Sequence, residues 1–507
     1  MSHPVYMIGL DAFDRELMDT WIDDGLLPNL ARLQNEAARW SLSSSTEVLQ
    51  GSVWPSFATS TCPGHHAMYF AYQCQPGKDG LIRMDASGFR TPPFWSTLSN
   101  HGKKSVVIDV PKLGMVARDR DIQVVEWGAM DHYSQFASYP SSLLPELRAK
   151  FGDHVLSRPF KRPVDGAQEI LLAEQLVRGV EKKLELTTWL IDRHRPDLCV
   201  SIFGESHAVG HYLWGQEGCA DDYPGVAVQR VYRQMDDMIG TLIDRHAKHA
   251  NLIIFSGHGM AADYRPHWIV DELLVELGFL VLKRRHSKTG SPSRSEPRHS
   301  NARKNRLRRI TAHLKQAIKQ YAPKSITNRI HVMLQRRGNI DMRQSLAWSL
   351  PTDHQGFVRL NVHGREKNGA IAEGQYETVL EKRSSEMLAL RNASTGQPVI
   401  EKVYKLRELY HGAPNLDLLP DLALLWSNAP VNEVITSSGN RLAVSSPPAS
   451  FRAANHTLSG FCFAVGPDVE ARGDCGSADL MDLGATALQL IGTPAPDGLS
   501  GRPLLAG

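Results

Sequence analysis

The chain of 507 residues carries 57 Lys and Arg against 54 Asp and Glu, a formal charge of +3, and 42% of its residues are hydrophobic. That balance excludes a protein working mainly through charge, whether a nucleic-acid binder or an acidic disordered chain, and it allows a large core. No run of ~18 apolar residues is present, so no transmembrane helix is expected. The opening Met-Ser-His-Pro-Val-Tyr-Met-Ile-Gly-Leu reads as a first strand rather than a signal peptide. Six cysteines (Cys62, Cys74, Cys199, Cys219, Cys462, Cys475) form no CxxC pair, which fits reduced thiols and a cytoplasmic location.

Short apolar runs bounded by turn residues predict strands at Val5–Leu10, Ser105–Asp109, Leu198–Phe203, Leu252–Phe255, Phe357–Val362, Leu422–Trp426 and Phe461–Val465. Leu27–Ala38, Ala167–His194 and Val226–Arg245 have helical spacing of apolar residues. Strands alternating with helices predict an α/β fold, a doubly wound and mainly parallel sheet covered on both faces. One stretch interrupts the pattern. Lys283–Arg309 holds eleven Lys/Arg and one acid, Glu296, and is followed by expected helices at Leu307–Gln320 and Ile326–Arg337. It is either a basic patch for an anionic ligand or membrane surface, or a solvated excursion. The expected organisation is a catalytic core over 1–282, a basic insertion or cap over 283–344, and the rest of the core over 345–507.

In such sheets ligands sit beyond the carboxyl ends of the strands. Asp11 follows the first strand, where it can ligate a cation or cap a helix. His207 and His211, four residues apart after Leu198–Phe203, share one helical face, so they can hold one Zn²⁺ or be hydrogen-bonded structural residues. His258 follows Leu252–Phe255 between Gly257 and Gly259, and His456 precedes Phe461–Val465. Asp or His at several strand ends together points to a metal centre.

These residues also carry a resemblance. Gly9-Leu10-Asp11, Leu27-Pro28-Asn29-Leu30, Trp54–Thr59 running into Pro63-Gly64-His65-His66, Glu205–His211, Ser256–Met260, Asn361–Glu366, Pro420-Asp421-Leu422, His456 with Gly460, and Gly501–Leu504 occur in an order that resembles the alkaline-phosphatase superfamily. The likeness is to its type I phosphodiesterase/nucleotide pyrophosphatase branch. It covers nearly everything outside the basic insertion and implies two metals, a Ser or Thr nucleophile and hydrolysis of phosphate esters.

Carried over by position, the family's D-x-x-x-H segment becomes His207 and His211, and its late His is His456. Its second metal would fall to Asp11 and His258. Its S-D-H-G turn is Ser256-Gly257-His258-Gly259, and its nucleophile position is Gln50. Two carboxylates are therefore missing, so one tightly bound Zn²⁺ is expected at His207, His211 and His456, with a second metal doubtful. Glu47, Glu205 and Asp263 are carboxylates available to compensate. Gln50 has no ionisable proton, so Ser52 or Thr46 is a nucleophile only if the register slips; otherwise a metal-bound water attacks. Cys62-Pro63 does not fit the sulfatase pattern. The sequence thus predicts a metal-dependent hydrolase acting on a small, anionic substrate. The alternatives are a diverged member with another metal-assisted reaction and a non-catalytic metal-containing binding protein.

Overall fold

The computed structural model describes residues 2–505 apart from 45–47, 79, 85–87, 131–132, 158–162, 164, 216–224, 284–339, 353, 448–451, 453 and 471–472. Thr46, Glu47, Cys219, nearly all of the basic segment and both helices expected within it lie outside the described residues.

The all-apolar runs become the buried centre of a nine-stranded sheet. Its order is Gly473–Asp479, Ala38–Ser43, Gly460–Val465, Asn251–Ser256, Val5–Leu10, Leu198–Phe203, Ser105–Ile108, Ile122–Val125 and Ala137–Tyr139. The central pairs are parallel, with Val5 opposite both Leu198 and Asn251. Gly460–Val465 runs antiparallel to both neighbours, as does the edge strand Ala137–Tyr139 to its partner. The sheet is mainly parallel, as the alternation of strands and helices predicts.

Helices cover both faces, because strands such as Val5–Leu10 are buried on every side chain. On one face pack the 29-residue helix Gly166–His194 and the helix Val226–His246, which meets Phe13 and Trp21 through Tyr232. On the other, Val53–Thr59 and Asp482–Ile491 cover Met7, Val200 and Phe255. The helix read at Leu27–Ala38 ends at Glu36, since Ala38 already begins an edge-side strand with alternating burial.

Two predicted strands lie elsewhere. Gly356–Leu360 and Leu422–Trp426 pair antiparallel in a separate four-stranded sheet with Ala347–Leu350 and Ile400–Lys405. That sheet has its own apolar core, shared with Val270–Glu276 and Tyr376–Leu388. Among the described residues no helix is long and apolar enough to cross a membrane. The five described cysteines form no disulfide with one another.

Candidate metal centre and substrate cleft

The parallel register of Val5–Leu10, Leu198–Phe203 and Asn251–Ser256 brings three carboxyl ends side by side. Asp11, the helix Glu205–Leu213 and His258 therefore emerge at one edge. His456 arrives from the short strand Ala454–Thr457, whose pairing sets it opposite Met260. Ligand nitrogens of His207, His211 and His456 lie within 4.8 Å of one another, and all three residues are buried. The ring centroids of His211 and His456 are 4.7 Å apart, as are those of His258 and His456.

The hydrogen bonds decide which ring nitrogen is available. Asp11 Oδ2 accepts from His207 Nδ1 at 2.7 Å, and Asp11 Oδ1 accepts from Trp54 Nε1 at 2.9 Å. Burial alone would raise the Asp11 carboxyl, but His207, His258 and Trp54 hold it at about 2, so it remains an acceptor. His211 Nδ1 donates to the carbonyl of Ala454 at 3.1 Å. With Nδ1 as donor on both rings, the lone pairs of the neutral rings sit on Nε2. His207 Nε2 stands 3.0 Å from His456 Nε2, and His211 Nε2 is buried without a hydrogen-bond partner. Burial, reinforced by neighbouring cations and imidazoles, holds His211 and His456 well below the ordinary histidine range, which keeps them neutral. Neutral imidazoles with Nδ1–H committed elsewhere are what a Zn²⁺ site needs, and two nitrogens on one tetrahedral ion stand ~3.3 Å apart. The donor set fits one such ion.

The cleft over this cluster is lined by Asp11, Gln50, Trp54, His258 and His456, together with two cations, Lys112 and Arg452. Gln50 opens the turn Gln50–Ser52 that leads into Val53–Thr59, and its Oε1 is buried without a partner. Ser52 is not in the cleft wall; its hydroxyl is buried and donates to the carbonyl of Leu49. At Gly257 a Cβ would meet Val53 Cγ1 at 2.8 Å and Leu480 Cδ2 at 3.1 Å, so apolar side chains fill the space a carboxylate there would need.

A family model, type I phosphodiesterase/nucleotide pyrophosphatase, matches residues 5–429. The chain belongs to that family, in the alkaline-phosphatase superfamily. Among curated proteins none matches the sequence. Of solved structures, the phosphonoacetate hydrolase from Sinorhizobium meliloti 1021, in complex with phosphonoformate, is similar at 14% identity over 97% of this chain and 96% of that one, with a TM-score of 0.50. Human ectonucleotide pyrophosphatase/phosphodiesterase 5 is 13% identical over the same shares, with a TM-score of 0.48. The first likeness shows the alkaline-phosphatase-like fold.

Three carboxylates named from the sequence are described in the structure. Asp11 has both oxygens engaged, with His258 Nε2 a further 3.5 Å from Oδ1. Glu205 turns away from the cleft to pair with His154 at 3.0 Å beside the buried Lys183. Asp263 pairs with Arg265 at 2.5 Å and leaves only Oδ2 without a partner. Neither Glu205 nor Asp263 joins the histidine cluster. Sequence reasoning missed Lys112, Arg452 and the buried His354, whose ring lies 6.0 Å from that of His456. Lys112 stands just past the carboxyl end of Ser105–Ile108, so the rule that found His207 and His258 also leads to it.

Proposed function

We propose that the chain is a metal-dependent hydrolase of phosphate-type esters, built around one Zn²⁺-class ion held by His207, His211 and His456, with water as the nucleophile. The observation that carries this reading is the commitment of Nδ1–H on His207 and His211, which leaves Nε2 as the lone-pair nitrogen of each ring in the cluster with His456. When bound, such an ion supplies Lewis acidity toward a phosphoryl oxygen and favours ionisation of water. Asp11 fixes the tautomer and orientation of His207, the work of a carboxylate behind a metal-bound histidine, and Trp54 holds Asp11 in turn. Gln50 cannot form a phosphoryl ester; its unpartnered amide oxygen can accept a hydrogen bond and so align a water. Ser52, committed to Leu49, is not the nucleophile in this reading.

Asp11 is engaged on both oxygens and Gly257 is faced by Val53 and Leu480, so the described residues assemble no second metal-ligating set around His258. One metal per chain is the expected stoichiometry. Described cysteines that form no disulfide, with Cys199 and Cys462 buried, suit a reducing, cytoplasmic setting. A second reading, a diverged metal-assisted reaction on another substrate, draws on the amide at the family's nucleophile position.

The test combines zinc content with a panel of chromogenic phosphate diesters, phosphate monoesters and phosphonate esters. Turnover of at least one ester, abolished by chelator and by His211→Ala, is expected. Asp11→Asn should weaken zinc binding ~10–100-fold through loss of His207 orientation. A zinc-loaded protein inert across the panel would favour the second reading, and a protein that takes up no zinc would refute the metal site.

A further inference from the structure

Two cations of the cleft have no place in the zinc chemistry. Lys112 and Arg452 line it together with Gln50, Asp11, His207 and His456. Lys112 is half-buried, and its Nζ donates to the carbonyl of Gly51 at 3.0 Å, which seats the ammonium against the wall next to Gln50. Its backbone is left-handed, with φ of +67°, and Asp109 at the start of the same loop has φ of +53°. L-residues adopt this conformation at a cost, and non-glycine examples concentrate where a side chain must be delivered to a site. Gly51 is itself obligatory, because a Cβ there would lie 1.8 Å from the carbonyl oxygen of Tyr69.

The charges give the sign of the ligand. Among the described residues lining the cleft the one carboxylate, Asp11, is engaged by His207 and Trp54, while Lys112 and Arg452 bring two cationic groups. Any ion held by the histidines adds more. Among the described residues the cluster of His207, His211 and His456 is the only set with metal-ligand spacing, so no second metal-ligating set accounts for the cations. We infer that Lys112 and Arg452 form an anion-binding subsite for one tetrahedral oxyanion, of the phosphate or phosphonate class, in the cleft they share with His207 and His456. Lysine and arginine here supply by hydrogen bonding and charge what a second dication would otherwise supply. The inference rests on the hydrolase reading for its ligand class and extends it to how the substrate is held.

The experiment is calorimetric titration of the zinc-loaded full chain with inorganic phosphate. Lys112→Met should weaken phosphate binding about tenfold or more with zinc content unchanged, and Lys112→Arg should recover most of it. Arg452→Met provides an independent variant if Lys112→Met does not fold, and should weaken binding in the same direction. Parent-like phosphate affinity in Lys112→Met and Arg452→Met overturns the subsite while leaving the hydrolase reading intact. A parent protein that binds no phosphate also overturns it. Phosphate binding that depends on Lys112, in a protein that hydrolyses no ester, upholds the subsite and removes the hydrolase reading.

Discussion

Gly257 shows how a single position bears on the proposed count of one metal. The family pattern places an Asp there, and restoring it looks from sequence like a route to a second metal. The packing argues otherwise, since the Cβ direction at residue 257 runs into Val53 Cγ1 at 2.8 Å and Leu480 Cδ2 at 3.1 Å. Both neighbours belong to the tightly packed face beneath Val53–Thr59. Forcing added atoms into such packing costs ~1–3 kcal/mol, and an unpaired buried carboxylate adds to that. Gly257→Asp should therefore lower the denaturation midpoint and leave zinc at one per chain. Two zinc ions per chain in this variant, measured by elemental analysis, would show that the new carboxylate reaches the cleft despite Val53.

At the scale of elements, the helix Glu205–Leu213 carries both His207 and His211, so its seating controls the proposed metal site. Its first residue, Glu205, is fully buried beside His154 and Lys183. Lys183, on the helix Gly166–His194, reaches Asp109 Oδ2 at 3.0 Å and the carbonyls of Gly128 and Ile202 at 2.7 and 2.9 Å. One buried ammonium thus ties the ends of two strands to the start of the histidine-bearing helix. Removing it takes the buried ammonium from Asp109 and Glu205 and leaves them His154 and backbone N–H partners, a loss of ~3–5 kcal/mol by analogy with other broken buried pairs. Lys183→Met should show that loss in denaturant unfolding together with weaker zinc binding. A cost under ~1 kcal/mol would mean the carboxylates find other partners.

The same elements show what sequence could reveal. Val5–Leu10, Leu198–Phe203 and Leu422–Trp426 have the bounds their apolar runs predict, because each run is bracketed by polar or turn residues. Gly473–Asp479, with no such run, is a strand only because Ala38–Ser43 pairs with it. The antiparallel company of Leu422–Trp426 is also a long-range choice, since its apolar residues are satisfied by either kind of sheet. In the cleft, the positions of Asp11, His207, His258 and His456 after or before strands were legible. The use of both Asp11 oxygens was not, because it depends on Trp54, 43 residues away, and on His207, 196 residues away.

For the molecule as a whole, acid should be the sensitive direction. His66 is fully buried against Ser56, and burial, with some help from His65, lowers it to about 3. His211, His354 and His456 are also pushed well below the ordinary range, first by burial. In the unfolded chain these imidazoles titrate near 6.5. Above that pH neither state binds the protons and stability is level. Below it the unfolded state takes up protons that the native state refuses, so stability falls as pH drops toward the folded values. Asp11 acts in the same sense lower down, since its stabilisation is present above 3.8 and is lost toward about 2. A zinc ion on neutral His207, His211 and His456 adds linkage of ~4 kcal/mol at a thousandfold excess over its Kd, and that gain also vanishes as the imidazoles protonate. Thermal melts from pH 8 to 4.5, with zinc and with chelator, should therefore show two effects. The chelated protein should be level above ~6.5 and fall steadily below it, and the zinc-dependent rise in Tm should shrink over the same interval. A zinc-dependent rise that is constant down to pH 4.5 would exclude histidine as the ligand. A chelated protein equally stable at both ends would mean these histidines are solvated or charge-compensated in the native state.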